Sequence, residues 1–133
     1  MPRIAATVLA VFALLLSTTV DPYPAQAEGD CPYYHYCVWV DANFAWPYCH
    51  WEGNDGNYWN NWCESSGGNE HLAADAITSY HNNGAPAEFD SIRSFEQEWA
   101  SGDLTWYAPR GDRVNWVGPI ENDDAESHYW YNG

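Results

Sequence analysis

Carboxylates and hydroxyls recur in this sequence at one fixed spacing. The run Asp75-Ala76-Ile77-Thr78-Ser79-Tyr80-His81-Asn82-Asn83-Gly84 returns, altered, as Asp124-Ala125-Glu126-Ser127-His128-Tyr129-Trp130-Tyr131-Asn132-Gly133. Both copies read Asp-Ala-x-hydroxyl-x-Tyr-x-x-Asn-Gly. With Asp123 beside the second copy, the residues Asp75, Thr78, Asp123, Asp124 and Ser127 offer the hard oxygen donors that a calcium ion gathers in sets of roughly six to eight. The competing role is structural and is the more expected one: Thr78 and Ser127 hydrogen-bond to a hairpin loop and brace the fold. A period of about 49 residues marks one supersecondary unit used twice.

Cys31, Cys37, Cys49 and Cys63 form the second chemical set. An even number of cysteines in a small exported chain points to two disulfides. A metal site shared with His35 or His50 is the other use, but the spacing lacks the short C-x-x-C hooks that zinc sites favour. Four cysteines allow three pairings, and sequence does not choose among them; the neighbour pairing, Cys31 with Cys37 and Cys49 with Cys63, is carried forward as the expectation. In the chain-entropy model, closing a loop of about 15 residues stabilises by ~3 kcal/mol.

Five histidines and many carboxylates are present, yet no nucleophile elbow, zinc motif or phosphate loop surrounds them. Carboxylate pairs are inevitable in so acidic a chain, so no enzyme activity is expected. Trp46, Trp51, Trp59 and Trp62 lie close together in a loop-rich stretch. They suit stacking on a sugar, although packing in hairpins is the more expected use.

Composition limits the partners. The formal net charge is −15. Beyond residue 27 there is no lysine, and the arginines are Arg93, Arg110 and Arg113. Phosphate-based binding of nucleic acid needs a basic footprint, and adhesion to anionic lipid needs the same, so both are excluded. Acidity is compatible with calcium, with basic partners or with solubility alone. Arg3, the apolar stretch 4–16 and Ala25-Gln26-Ala27 together read as a signal peptide over residues 1–27, because the apolar run is far shorter than the ~20 residues that span a bilayer. The expected product is a secreted, extracellular single domain over residues 28–133. Its nine Trp and ten Tyr in the full chain separate it from a disordered acidic sequence.

The elements that must position these groups are short strands. Residues 31–40 are rich in aromatic and β-branched side chains and end in the turn Asp41-Ala42-Asn43. Strand candidates follow at 77–80, 88–92, 104–107 and 114–117, separated by turn chemistry at Asn83-Gly84, Ser101-Gly102-Asp103, Pro109-Arg110-Gly111 and Gly118-Pro119. Glu70 to Ala74 is expected as a helical turn. The expected fold is all-β: two Greek keys, about 31–84 and 85–133, each burying its open apolar face against the other.

The chain also resembles the βγ-crystallin-like proteins, and within them the small secreted bacterial proteins of peptidase inhibitor family 36, typified by an actinobacterial metalloproteinase inhibitor. The resemblance rests on Cys31-Pro32-x-x-x-x-Cys37-Val38-Trp39, on the aromatic hairpin Trp39-x-x-x-x-Phe44, and on the two repeat cores, which are similar to an Asn/Asp-Asn/Asp-x-x-Ser/Thr-Ser stretch. The sequence departs from the pattern at Trp46, where the hairpin usually has glycine. In the second unit Trp106 is taken as the hairpin aromatic and Gly111 stands where the next aromatic belongs. The first core begins with Ala74 and the second, read from Asp123, ends in His128.

The resemblance implies a βγ-crystallin-like sandwich. It also implies an inhibitor of an extracellular metalloprotease or serine protease, acting through a rigid exposed loop for which the 49–63 segment or its flank is the candidate; no inhibitory residue is assigned. The scarcity of Lys and Arg argues against a trypsin-type target. The alternative implied role is a calcium-stabilised structural or stress protein, with calcium as the one candidate cofactor and none required.

Overall fold

The computed structural model describes residues 31–65 and 70–133. The expected signal peptide over 1–27 lies outside these residues. The strands are β1 (His35–Trp39), β2 (Tyr48–Trp51), β3 (Trp62–Cys63), β4 (His71–Leu72), β5 (Ser79–Asn83), β6 (Ser91–Gln97), β7 (Ser101–Ala108), β8 (Arg113–Val114) and β9 (Ser127–Tyr131). The helical elements among the described residues are 3-10 turns at Ala42–Phe44, Tyr58–Asn60 and Glu98–Ala100. The protein is all-β, as the alternation of aromatic and polar residues predicts.

One sheet has the order β2-β1-β5-β8 and another the order β7-β6-β9, while β3 and β4 form a separate pair. Each half therefore sets its first strand between its second and its last. The halves then exchange a strand. Tyr80 and His81 on β5 pair with Val114 and Arg113 on β8. In return Asp55 bridges His128 on β9, with N–H to carbonyl bonds of 3.0 and 2.7 Å in the two directions. Backbone donors and acceptors of each half are thus satisfied by the other, which ties the two keys into one hydrogen-bonded unit.

The hairpin that opens each half is held the same way. After β1 the chain turns through left-handed Asn43 and Phe44 (φ 59° and 60°). Ser79 Oγ accepts from the Phe44 N–H (3.2 Å) and donates to the Asp41 carbonyl (2.8 Å). After β6 the turn passes through Trp99 and Ala100 (φ 59° and 56°). Here Ser127 Oγ accepts from the Ala100 N–H (3.2 Å) and donates to the Gln97 carbonyl (2.6 Å). Ser127 is therefore the counterpart of Ser79, not of Thr78. The Asp-Ala alignment of the repeat is one residue out of step with the structure, and the counterpart of Thr78 is Glu126. The second hairpin runs Phe95-x-x-x-x-Ala100-x-Gly102 rather than Trp106 to Gly111. Gly102, at φ 72°, holds the glycine place that Trp46 takes in the first half.

The main core gathers aromatics from both halves. Tyr36, Tyr58, Tyr80, Trp106 and His128 are buried in it. The Tyr80 ring stacks on Trp106 at 5.4 Å and the Trp51 ring on Tyr58 at 4.9 Å. Such pairs add about 0.5–1.5 kcal/mol each beyond the area they bury. Trp106 Nε1–H donates to Tyr36 Oη (2.9 Å), so these polar tips are satisfied inside the core. A smaller cluster of Trp39, Phe44 and Tyr48 fills the first hairpin.

The disulfides join Cys31 to Cys37 and Cys49 to Cys63. The segment expected as a helical turn at Glu70 to Ala74 contains β4 instead. It is too short to nucleate a helix, and pairing with Trp62 and Cys63 satisfies its backbone.

Candidate functional site

The repeat cores meet at a pseudo-symmetric junction between the halves. Asp75 and Asp123 both adopt left-handed φ (51° and 60°), a conformation that Asp tolerates better than most residues. The Asp75 N–H donates to the Ala125 carbonyl (3.1 Å) and the Asp123 N–H to the Ile77 carbonyl (3.2 Å). Partial burial pushes the Asp75 carboxyl upward from its ordinary range, helped by the charges of Glu126, Asp124 and Asp123. Asp124 is raised too, first by partial burial and then by the charge of Glu96 and a hydrogen bond with it. Asp75, Asp123 and Asp124 are thus brought into one acidic neighbourhood, with Glu96 and Glu126, which sequence reasoning had not singled out.

The hydroxyls behave differently. Ser127 is fully buried and both its hydrogen bonds go to the hairpin. Thr78 is half-buried, and its backbone joins Trp39 and Val117. Among the described residues no three His, Cys, Asp or Glu side chains converge to hold a metal ion. Calcium at this junction would have to supplement single carboxylates with carbonyl and water oxygens.

The disulfide-closed segment 49–63 is the second site. Its sequence looks like a loose Asn/Gly loop, but Asp55 organises it. Asp55 Oδ1 accepts from the Asn57 N–H (2.8 Å) and Oδ2 from Asn61 Nδ2 (2.8 Å). Asn61 Nδ2 also reaches the Asn57 carbonyl (2.9 Å), and Asn57 Oδ1 caps the 3-10 turn through the Trp59 N–H (2.9 Å). Asx side chains favour such local bonds.

Underneath, Tyr58 is fully buried and its hydroxyl lies 2.7 Å from His128 Nδ1. His128 Nε2 lies 2.9 Å from the Gly53 carbonyl. A carbonyl only accepts, so Nε2 carries the proton and Nδ1 accepts from Tyr58. Burial holds the ring neutral, with its pKa pushed down to about 3.

Above this anchor, Trp59 and Trp62 stand 48% and 60% exposed. Trp46 and Trp51 do not join them: Trp46 packs on Tyr48 at 5.3 Å and Trp51 on Tyr58. Of the four tryptophans singled out in the sequence, two pack and two present themselves. A concavity of about 120 Å³ beside Trp62 is lined by Tyr48, His50, Trp51 and Glu64. His50 is lowered there by burial and by the neighbouring His35 ring, 4.9 Å away. The Asp55 and Asn61 bonds are local and the Asx-rich stretch was their only signal in the sequence, whereas the His128 anchor left none, because it joins residues across the two halves.

Solved structures place this fold. The chain is similar to a βγ-crystallin domain from Clostridium beijerinckii, with a TM-score of 0.51 and 17% identity over 74% of this chain and 98% of that one. It is also similar to a structure described under the evolution of the eye lens βγ-crystallin domain fold, with a TM-score of 0.56 and 14% identity over 77% and 91% of the two chains. No family model matches the sequence. No curated protein matches it. The fold is βγ-crystallin-like. No helix among the described residues is long and apolar enough to cross a membrane.

Proposed function

We propose that this is a secreted binding protein of the peptidase-inhibitor kind, resembling peptidase inhibitor family 36, which engages an extracellular metalloprotease or serine protease through residues 57–62. The observation that carries this reading is the braced loop. A protein inhibitor gains affinity by presenting a surface already held in its bound shape. The 49–63 segment is closed by a disulfide, pinned by Asp55 and anchored through Tyr58 and His128. It displays two tryptophans, a residue type that dominates binding hot spots. The test titrates purified residues 28–133 against a thermolysin-like metalloprotease and a subtilisin-like serine protease. Near-stoichiometric inhibition of one of them is expected. Full activity of both at high molar excess would overturn the reading.

The acidic junction favours a second reading, a calcium-stabilised structural or stress protein. Carboxylates that raise one another's pKa are relieved by a divalent cation. A ligand that binds only the folded state raises the melting midpoint. A calcium-dependent rise in Tm that disappears in Asp75→Asn, with no protease inhibited, would establish this reading in place of the first.

A further inference from the structure

On the face formed by the turn before β1, the end of β2 and the 84–90 connection lies an open concavity of about 560 Å³. This falls within the ~300–1,000 Å³ range of ligand pockets. Its chemistry is unusual for so polar a chain. Tyr33, Tyr34, Pro86, Phe89 and Trp130 line it, with Glu52 at its edge, and no basic side chain lines it among the described residues. Tyr33, Tyr34 and Phe89 are 55%, 59% and 57% exposed. The tyrosine rings lie 4.4 Å apart, tilted by 54°.

Backbone bonds tie down the ends of both walls. The Tyr34 N–H bonds to the Asn83 carbonyl (3.0 Å), and Asn83 Nδ2 bonds to the Cys31 carbonyl (2.8 Å). Across from them, buried Asn82 accepts from the Gly84 N–H (2.9 Å) and donates to the Asp90 and Ala108 carbonyls (2.8 and 2.9 Å). Gly84 lies so close to the Trp130 ring that a Cβ there would sit 2.7 Å from it. The aromatic surface therefore stands on backbone tied down at Tyr34, Gly84 and Asp90.

We infer that this pocket binds a cationic side chain, arginine or lysine, on a basic segment of a partner protein. Aromatic faces attract a cation through their quadrupole. Glu52, its side chain 76% exposed and its Oε1 3.7 Å from His35 Nε2, adds a carboxylate to the lining, and the protein's net charge of −15 steers a basic partner inward. A sugar would also stack on these rings, but its hydroxyls need several polar partners, and Glu52 is the one charged or amide side chain in the lining. The site lies apart from residues 57–62 and does not depend on the inhibitor reading.

The test follows saturable binding by heteronuclear NMR, using the Trp130 indole as reporter. The probes are acetyl-Gly-Arg-Gly-amide, its citrulline counterpart, and maltohexaose. The arginine peptide binds, and citrulline weakens it at least fivefold. Tyr34→Ala, Phe89→Ala and Glu52→Gln each weaken it to a similar degree, whereas Glu121→Gln, at an acid outside the lining, leaves it unchanged. Tyr34 and Phe89 are exposed, and Phe89→Leu serves as a milder variant should Phe89→Ala unfold. Equal binding of citrulline, no loss on removing either ring, or saturation by maltohexaose alone would overturn the inference.

Discussion

The two hairpins that open the halves share a backbone and differ in what fills it. Both turn through two left-handed residues, and both are fastened by a buried serine from the last strand of their own half. Both also receive one bond from the other half: the Asn43 N–H donates to Asn115 and the Trp99 N–H to Gly56. In the first hairpin Phe44 is buried edge-on to Trp39 at 5.1 Å, and the Arg113 guanidinium lies 3.9 Å from the centre of its ring. In the second, Ala100 stands at that place, and the aromatic sits one position earlier as Trp99, 69% exposed above Gly56. The serine clasp is therefore the common requirement of the turn, while the aromatic plug is a local solution that one half uses and the other replaces with a glycine-tightened loop.

The comparison predicts unequal costs. Phe44→Ala should destabilise by about 3–5 kcal/mol, the usual penalty for emptying a buried aromatic site. Trp99→Ala should cost under about 1 kcal/mol, as exposed positions do. Denaturant melts of the two variants read the difference directly; equal losses would mean that Trp99 plugs its hairpin as Phe44 does.

A second contrast is electrostatic. The place of Tyr80 in the first half is taken by His128 in the second, and His128 is buried and neutral. Its folded pKa is lowered, so its contribution is complete above the unfolded value near 6.5 and is lost as pH falls toward about 3. At roughly 1.4 kcal/mol per unit, this amounts to about 5 kcal/mol when fully developed. Asp75 and Asp124 act in the opposite sense: their raised pKa values make their ionised forms unfavourable to the fold, and that penalty lifts as pH falls. Tm should decline from about pH 6.5 downward. His128→Gln, less stable at neutral pH, should lose much of that slope, and an unchanged slope would remove His128 as its source.

The serine clasp sets the third prediction. Ser79→Ala leaves the buried Phe44 N–H and a carbonyl without their partner and should cost about 1–3 kcal/mol; Ser127→Ala, whose partners lie on the exposed second turn, should cost toward the lower end of that range. Thr78→Ala should cost less than either in the same chemical melts. A loss at Thr78 as large as at Ser79 would restore the alignment in which Thr78 matches Ser127.

How far these features could be read from the residues follows from their reach. Duplication, the all-β class and the first hairpin were legible, because each leaves a mark within a few neighbours: Trp39 and Phe44, Asn83-Gly84, the paired Asp-Ala runs. The register of the repeat was misread by one residue, because Ala76 and Ala125 match in type while the matching function belongs to Ser79 and Ser127. That match shows only when each hydroxyl is seen reaching a turn 38 or 30 residues away. The second hairpin was placed too late because Ala100 carries no aromatic signature. The order within 49–63 was hidden for another reason: its local Asx bonds leave no periodic pattern, and its anchor is the bridge from Asp55 to His128 across the molecule.

The central claim is that the braced 57–62 segment is the surface this protein uses. It is tested most directly by comparing protease inhibition by the parent protein and by the Trp59→Ala, Trp62→Ala double variant, whose melting should be nearly unchanged because both side chains are exposed. The account predicts an inhibition constant weaker by at least a hundredfold in the variant, about 2.8 kcal/mol of binding at 1.4 kcal/mol per tenfold. Inhibition equal to the parent's in a folded variant would contradict it.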